Sequence, residues 1–297
     1  MQNILNSVIH NDCLDALSLF EPDCIDLVVT SPPYDNLRDY YGYRFDCAQV
    51  AKSLYRVMKP GGVVVWVIAD AVVKGSETGS SFRQALTFQD VGFRIHDTMI
   101  YEKNTCSFPA RRDDNRYSQT FEYMFVFSKG RPKTANLLCD KPNKCAGTTK
   151  WGRNTYRGRD GLLHQKKDII KPVKEFSPRN NVWRYVPCYE KHEAAEDVVT
   201  SEVRRYVVGG VLGQKDKSAY KHPATFPEQL TADHILTWSK PGEVVLDPMS
   251  GSGTTCLLAQ RLGRYFIGID VSNEYCELAC RRLGCQCISL RPERMAG

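Results

Sequence analysis

The chain has 297 residues, a formal net charge of +6, 42% hydrophobic residues and twelve cysteines. That length suits one large domain or a domain carrying an insertion, and the composition excludes fibrous, collagenous and disordered classes. No apolar run reaches the length of a membrane span and the start carries no signal-peptide pattern, so a cytoplasmic protein without membrane attachment, its thiols reduced, is expected.

Near the N-terminus, Ile25 to Val29 is an apolar run that reads as a buried strand ending at Thr30-Ser31-Pro32-Pro33-Tyr34. Phe45 to Met58 has helical spacing, with Ala48, Val50, Ala51, Leu54, Tyr55 and Val57 supplying an apolar face, and Lys59-Pro60-Gly61-Gly62 ends it. Val63 to Ile68 is continuous enough in apolar residues for a strand buried on both faces. A helix over Ser81 to Asp90 and strands over Arg94 to Lys103 and Glu122 to Ser128 complete an alternation typical of an open α/β sheet.

Beyond Lys129 the alternation stops. From there to about Lys221 the chain is rich in Lys, Arg, Asn, Gly and Pro with scattered aromatics, too long for a plain connection and readable as a functional insert or a disordered region, the tryptophans and tyrosines favouring the insert. Between Lys129 and Arg184 there are fifteen Lys/Arg against four Asp/Glu, so the rest of the chain is net negative. A basic segment on an otherwise acidic chain is the footprint of contact with a polyanion, although a charged surface loop looks similar. The alternation resumes with a helix over Pro227 to Trp238, a strand before Asp247, a helix from Thr254, a strand over Tyr265 to Asp270 and a helix over Asn273 to Leu283.

Two of these strand ends carry chemistry. Asp247-Pro248-Met249-Ser250-Gly251-Ser252-Gly253-Thr254-Thr255 puts a glycine turn between strand and helix, where backbone N–H groups and the helix dipole receive an anionic group. Asp270, at the end of the next strand, is placed to accept from ribose hydroxyls. The turn is neither a nicotinamide fingerprint, since Cys256 stands at its third glycine position, nor a phosphate loop, since no lysine follows Gly253; a turn without ligand is the competing reading. At the other end, two prolines fix the backbone so that the Ser31 and Pro32 carbonyls can act as rigid acceptors, and Tyr34 offers a stacking face; an exocyclic amino group on a base suits such a clamp. The cysteine spacings match no zinc pattern and no metal is expected.

Thr30 to Tyr34, Glu122 to Lys129, Lys221-His222-Pro223-Ala224-Thr225-Phe226-Pro227 and Asp247 to Thr255, with the amino-group motif first and the cofactor motif last, resemble the S-adenosylmethionine-dependent DNA amino-methyltransferases of the β group. The resemblance implies a Rossmann-like, mostly parallel twisted sheet in circularly permuted order. Residues 1–128 and 222–297 would form the methyltransferase domain and 129–221 the target-recognition region. It implies S-adenosyl-L-methionine as cofactor and double-stranded DNA as substrate, the target base flipped out of the duplex. It assigns Ser31, Pro32, Pro33 and Tyr34 to catalysis. Asp247, Pro248, Met249, Ser250, Gly251, Gly253, Thr254, Asp270, His222, Phe226 and Asp12 are assigned to the cofactor. Met249 departs from the family's usual phenylalanine, and Asp12 reads equally well as a helix N-cap. Arg153, Arg157, Arg159, Arg179 and Arg184 of the insert are the expected DNA contacts. Serine at position 31 resembles the cytosine-N4 version of the motif. Adenine N6 is the alternative target, and a non-catalytic nucleic-acid-binding module is the alternative from another class. A C5-type nucleophile is not expected, because Pro187-Cys188 lies in the insert away from any glycine turn. A separate cognate endonuclease and a monomeric or homodimeric state are compatible with the resemblance.

Overall fold

The structure, a computed structural model, describes residues 2–33, 45–103, 117, 119–149, 155–165, 171–185 and 227–289. In chain order the strands are β1 (Ser7–His10), β2 (Ile25–Thr30), β3 (Met58–Ile68), β4 (Val72–Val73), β5 (Ser76–Glu77), β6 (Arg94–Glu102), β7 (Phe121–Ser128) and β8 (Lys141–Pro142). They continue with β9 (Thr155–Arg157), β10 (Leu163–Gln165), β11 (Phe176–Ser177), β12 (Val182–Arg184), β13 (Val244–Asp247), β14 (Tyr265–Asp270) and β15 (Cys287–Ile288). The helices are α1 (Cys13–Ser18), α2 (Cys47–Val57), α3 (Ser80–Val91), α4 (Glu228–Trp238), α5 (Thr254–Arg261) and α6 (Asn273–Leu283).

Nine strands form one sheet in the order β12-β6-β7-β3-β2-β13-β14-β1-β15. Only β7 runs against its neighbours; the other pairings are parallel. This bears out the expected Rossmann-like sheet. Its centre is buried on both faces, which is why β2, β3 and β13 read as unbroken apolar runs rather than alternating ones. Helices α1, α2 and α3 pack together, as do α4, α5 and α6, and the two groups flank the sheet. Val28, Val64, Trp66, Phe125 and Phe127 meet Val50, Leu54 and Phe88 in a shared core, with Phe88 and Phe127 stacked at 4.4 Å.

Local chemistry sets the helix starts. Asp46 and Ser272 cap α2 and α6 by accepting from the N–H groups of Gln49 and Tyr275. Helix α3 begins at Gly79 and takes its cap from a distance: buried Asp70 accepts from the Ser81 N–H at 2.9 Å and from its hydroxyl. Asp12 caps α1, accepting from Leu14 N at 2.7 Å, so the N-cap reading of that residue is realised.

Three boundaries differ from the sequence reading. Helix α2 ends at Val57, and the strand that follows is assigned from Met58, with Lys59-Pro60-Gly61-Gly62 inside an irregular stretch of the β2–β3 pairing where Lys59 meets Asp26 at 2.7 Å. Strand β12, read as part of the insert, is an edge strand of the main sheet: Val182, Trp183 and Arg184 pair in parallel with Ile100, Tyr101 and Glu102. Three residues are too few to show a period, and the anchoring comes from tertiary packing of Trp183 on His234 at 4.6 Å and a 3.2 Å bond from the Tyr185 hydroxyl to Asp233. The described residues accordingly separate into two compact units, one built on the sheet and one comprising Leu137–Asn180, narrower than the 129–221 stretch. Within the smaller unit β8 pairs with β11 and β9 with β10, both antiparallel.

Candidate active site

Strands β2 and β13 are parallel neighbours, with Val28 beside Leu246, so the two motifs that stand more than two hundred residues apart in sequence emerge side by side at the carboxyl ends of the central strands. A side-chain bond joins them. Thr30 Oγ1 donates to Asp247 Oδ1 at 2.7 Å in a buried position, and Thr255 Oγ1 donates to the Val29 carbonyl at 3.1 Å. Ser31, Pro32 and Pro33 follow directly, with Pro32 buried and the flanking two half-buried. Tyr34 lies outside the described residues, as do Arg153, His222 and Phe226.

The glycine turn is held by its neighbours rather than by itself. Asp270 Oδ2 accepts from Gly251 N at 2.8 Å and Oδ1 from Ser272 N at 2.9 Å, so the carboxylate expected to meet a ribose also ties the turn to β14. Ser250 N donates to the Ile269 carbonyl at 2.8 Å. Gly253 is left-handed at φ +77°, and a Cβ there would come within 2.8 Å of Ala279 Cβ; no other residue type satisfies both the angle and the space. It starts α5 with no side-chain cap, leaving the first N–H groups of the helix for another acceptor. Pro248 and Met249 carry the chain from strand to turn, and Met249 rests against the core while its N–H donates to Asp247 at 3.2 Å.

Electrostatically the turn is poised for a ligand that carries positive charge. Burial pushes the Asp247 carboxyl up to about 6, against the bonds from Thr30 and Met249 that favour its ionised form; nearby Asp270 adds to the rise. Asp270 is itself raised, chiefly by burial, with the Ser272 and Gly251 N–H groups opposing. Asp247, buried and with the charge of half-buried Asp270 nearby, is relieved by a cation. Ser250 Oγ is buried with no hydrogen-bond partner, an orphan that a ligand would satisfy. A cation-seeking carboxylate, an orphan hydroxyl and an uncapped helix start together fit a group that is a zwitterion or larger.

Sequence reading missed three contributors. Thr30 stood at the head of the amino-group motif with no role of its own, and only the strand register brings it to Asp247. Arg282 of α6, its side chain buried, donates to the Ser252 carbonyl and, at 3.3 Å, to Thr254 Oγ1, and stands 3.9 Å from Glu228 at the start of α4. Asp70, just past β3, brings a further buried carboxylate to the carboxyl end of that strand. The five arginines of the insert also divide. Arg179 makes a forked ion pair with Asp140, and Arg184 pairs with Glu102 across β12 and β6. Arg157 donates to the Gly161 carbonyl at 2.7 Å, and Arg159 is exposed.

Comparison with known proteins agrees with this arrangement. Residues 25–281 match the model of a family described as DNA methylase, the N6/N4 methyltransferases. The orphan methyltransferase M.BamHII of Bacillus amyloliquefaciens is 50% identical over 264 residues, covering 88% of this chain and 89% of the relative. Among solved structures, the cytosine-N4-specific PvuII DNA methyltransferase superposes with a TM-score of 0.61 at 19% identity, covering 95% of this chain and 94% of its own. TTHA0409 of Thermus thermophilus, solved in complex with S-adenosyl-L-methionine, does so with a TM-score of 0.57 at 21% identity, covering 96% of this chain and 97% of its own. With a family match over residues 25–281 and a relative at half identity along most of its length, the chain belongs to the N6/N4 DNA methylases.

Proposed function

We propose that the protein transfers a methyl group from S-adenosyl-L-methionine to N4 of cytosine in duplex DNA. The observation that carries the reading is the Thr30–Asp247 bond, which joins the strand end of the amino-group motif to that of the cofactor motif. The cofactor, when bound, supplies an activated methyl on a sulfonium. Asp247 would offset its positive charge, Asp270 would accept from its ribose hydroxyls, Ser250 Oγ and the first N–H groups of α5 would bind its polar ends, and Met249 would pack beside it.

An exocyclic amino nitrogen shares its lone pair with the ring and attacks poorly until acceptors draw on its hydrogens. Ser31 Oγ and the Pro32 carbonyl are those acceptors in this reading, with Pro33 holding the backbone rigid and Tyr34 stacking on the extruded base. The protein's contribution is alignment and electrostatics, with no covalent intermediate. Serine rather than aspartate at position 31 supports cytosine as the target. The family name covers adenine N6 as well, so adenine is the second reading. The smaller unit supplies target recognition, and we take the enzyme as solitary, in line with the word orphan in its relative's name.

Incubating the protein with duplex DNA and methyl-labelled cofactor, then digesting to nucleosides for mass spectrometry, tests the proposal. N4-methylcytosine supports it, N6-methyladenine replaces it with the second reading, and no incorporated methyl on any sequence refutes both.

A further inference from the structure

The β9–β10 hairpin of the smaller unit is a rigid loop that presents apolar side chains to solvent. Its turn, residues 158–162, is fixed from several sides. Gly158 N donates to the Leu162 carbonyl at 2.8 Å, Gly161 N to the Gly158 carbonyl at 3.0 Å, Leu162 N to Asp160 Oδ1 at 3.0 Å and the Arg157 head to the Gly161 carbonyl at 2.7 Å. Behind it His164 meets Asp160 at 2.8 Å and lies against the Tyr156 ring. Gly158 lies close under these side chains: a Cβ there would stand 2.7 Å from Asp160 Oδ1 and 2.8 Å from the His164 ring, so both would have to shift. Against this ordering, Leu162 and Leu163 remain 65% and 66% exposed. A loop so constrained could have buried them, and adjacent leucines on a preorganised tip mark a contact surface.

We infer that this hairpin is a major-groove reader, with Leu162 and Leu163 making apolar contact to base edges and Arg159 a phosphate or guanine contact. The inference rests on the DNA methyltransferase reading and deepens it. Charge complementarity names the occupant: Leu137–Asn180 holds eleven Lys/Arg against four Asp/Glu. Shape points to the major groove, whose width of roughly 12 Å admits a two-stranded ribbon. In the major groove the thymine methyl is the apolar feature that leucine can recognise. Arg179, locked on Asp140 in the same unit, shapes the lobe instead of reading DNA.

The leucines and the arginine should fail differently. Both leucines are exposed, so Leu162→Ser/Leu163→Ser leaves folding intact, which thermal unfolding and calorimetric S-adenosyl-L-methionine binding confirm. On a random-sequence duplex library read by methylation-sensitive sequencing, this double variant should lose about tenfold in preference for its best sequence. The salt dependence of its binding to a random duplex of about 30 base pairs should stay that of the wild type. Arg159→Ala should instead lower the salt slope by about one on every sequence if it meets phosphate, or relax a single guanine position if it meets a base. A leucine double variant with the wild-type sequence profile overturns the inference. So does one that changes only sedimentation, which would make the tip a contact between copies of the chain. A wild-type protein that methylates no duplex sinks the methyltransferase reading itself, a distinct outcome.

Discussion

Asp247→Asn probes the point where the two halves of the site meet. The fold raises this buried carboxyl from 3.8 to about 6, so the folded state favours its protonated form. The stability linked to that form is present in full below about pH 4 and is lost as pH rises through about 6. At neutral pH the ionised group therefore costs about 3 kcal/mol, a shift of about two units at about 1.4 kcal/mol each. Asparagine keeps the carbonyl that accepts from Thr30 and Met249 but brings an N–H₂ group needing an acceptor, worth about 1 kcal/mol or more. The variant should thus unfold at a higher temperature than the wild type near pH 7.5, with the advantage gone near pH 4. Cofactor binding carries the opposite linkage. A sulfonium beside Asp247 favours its ionised form, so wild-type affinity for S-adenosyl-L-methionine should fall as pH drops from about 7 to about 5, approaching tenfold per unit below the pKa, while the variant binds weakly with little dependence. Calorimetric titration across that range measures both. Wild-type affinity that stays flat, or a variant with the wild-type slope, refutes the placement of a cation at this carboxylate.

Three further perturbations test separate parts of the account. Ser31→Ala should abolish most methyl transfer with cofactor affinity within about twofold, measured by labelled-methyl incorporation beside calorimetry, because it removes only an acceptor for the amino group. Gly253→Ala should destabilise the protein by about 2–3 kcal/mol in urea unfolding, combining left-handed strain with the 2.8 Å approach to Ala279. Arg282→Met keeps the buried stem but strips the Ser252 carbonyl and Thr254 of their donor, so the KM for cofactor should rise about tenfold with kcat and the KM for DNA unchanged; an equal loss in all three would make its role general to the fold.

Much of the sheet was legible because its central strands are buried on both faces and therefore write themselves as apolar runs: Val63 to Ile68 is the plainest case. The glycine turn was legible because φ above zero and close approach to α6 leave glycine no substitute at 253. What escaped depends on partners distant in sequence. Thr30 gains its meaning from a carboxylate at 247, Arg282 from a carbonyl at 252 and an acid at 228, and β12 from an edge that accepts three residues. The arginines show the same limit from the other side. Arg179 and Arg184 read as DNA contacts in a basic stretch, yet each faces a carboxylate, Asp140 or Glu102, that composition could not pair with it. Charge counts marked a basic stretch; they could not say which of its charges are tied to carboxylates.

The central claim is that the carboxyl ends of two adjacent central strands hold an amino-group clamp and a cofactor turn together for methyl transfer to cytosine. Nucleoside mass spectrometry of duplex DNA treated with the wild-type protein and methyl-labelled S-adenosyl-L-methionine tests it most directly. The account predicts label in N4-methylcytosine, abolished by Ser31→Ala; label in N6-methyladenine, or in no nucleoside at all, contradicts it.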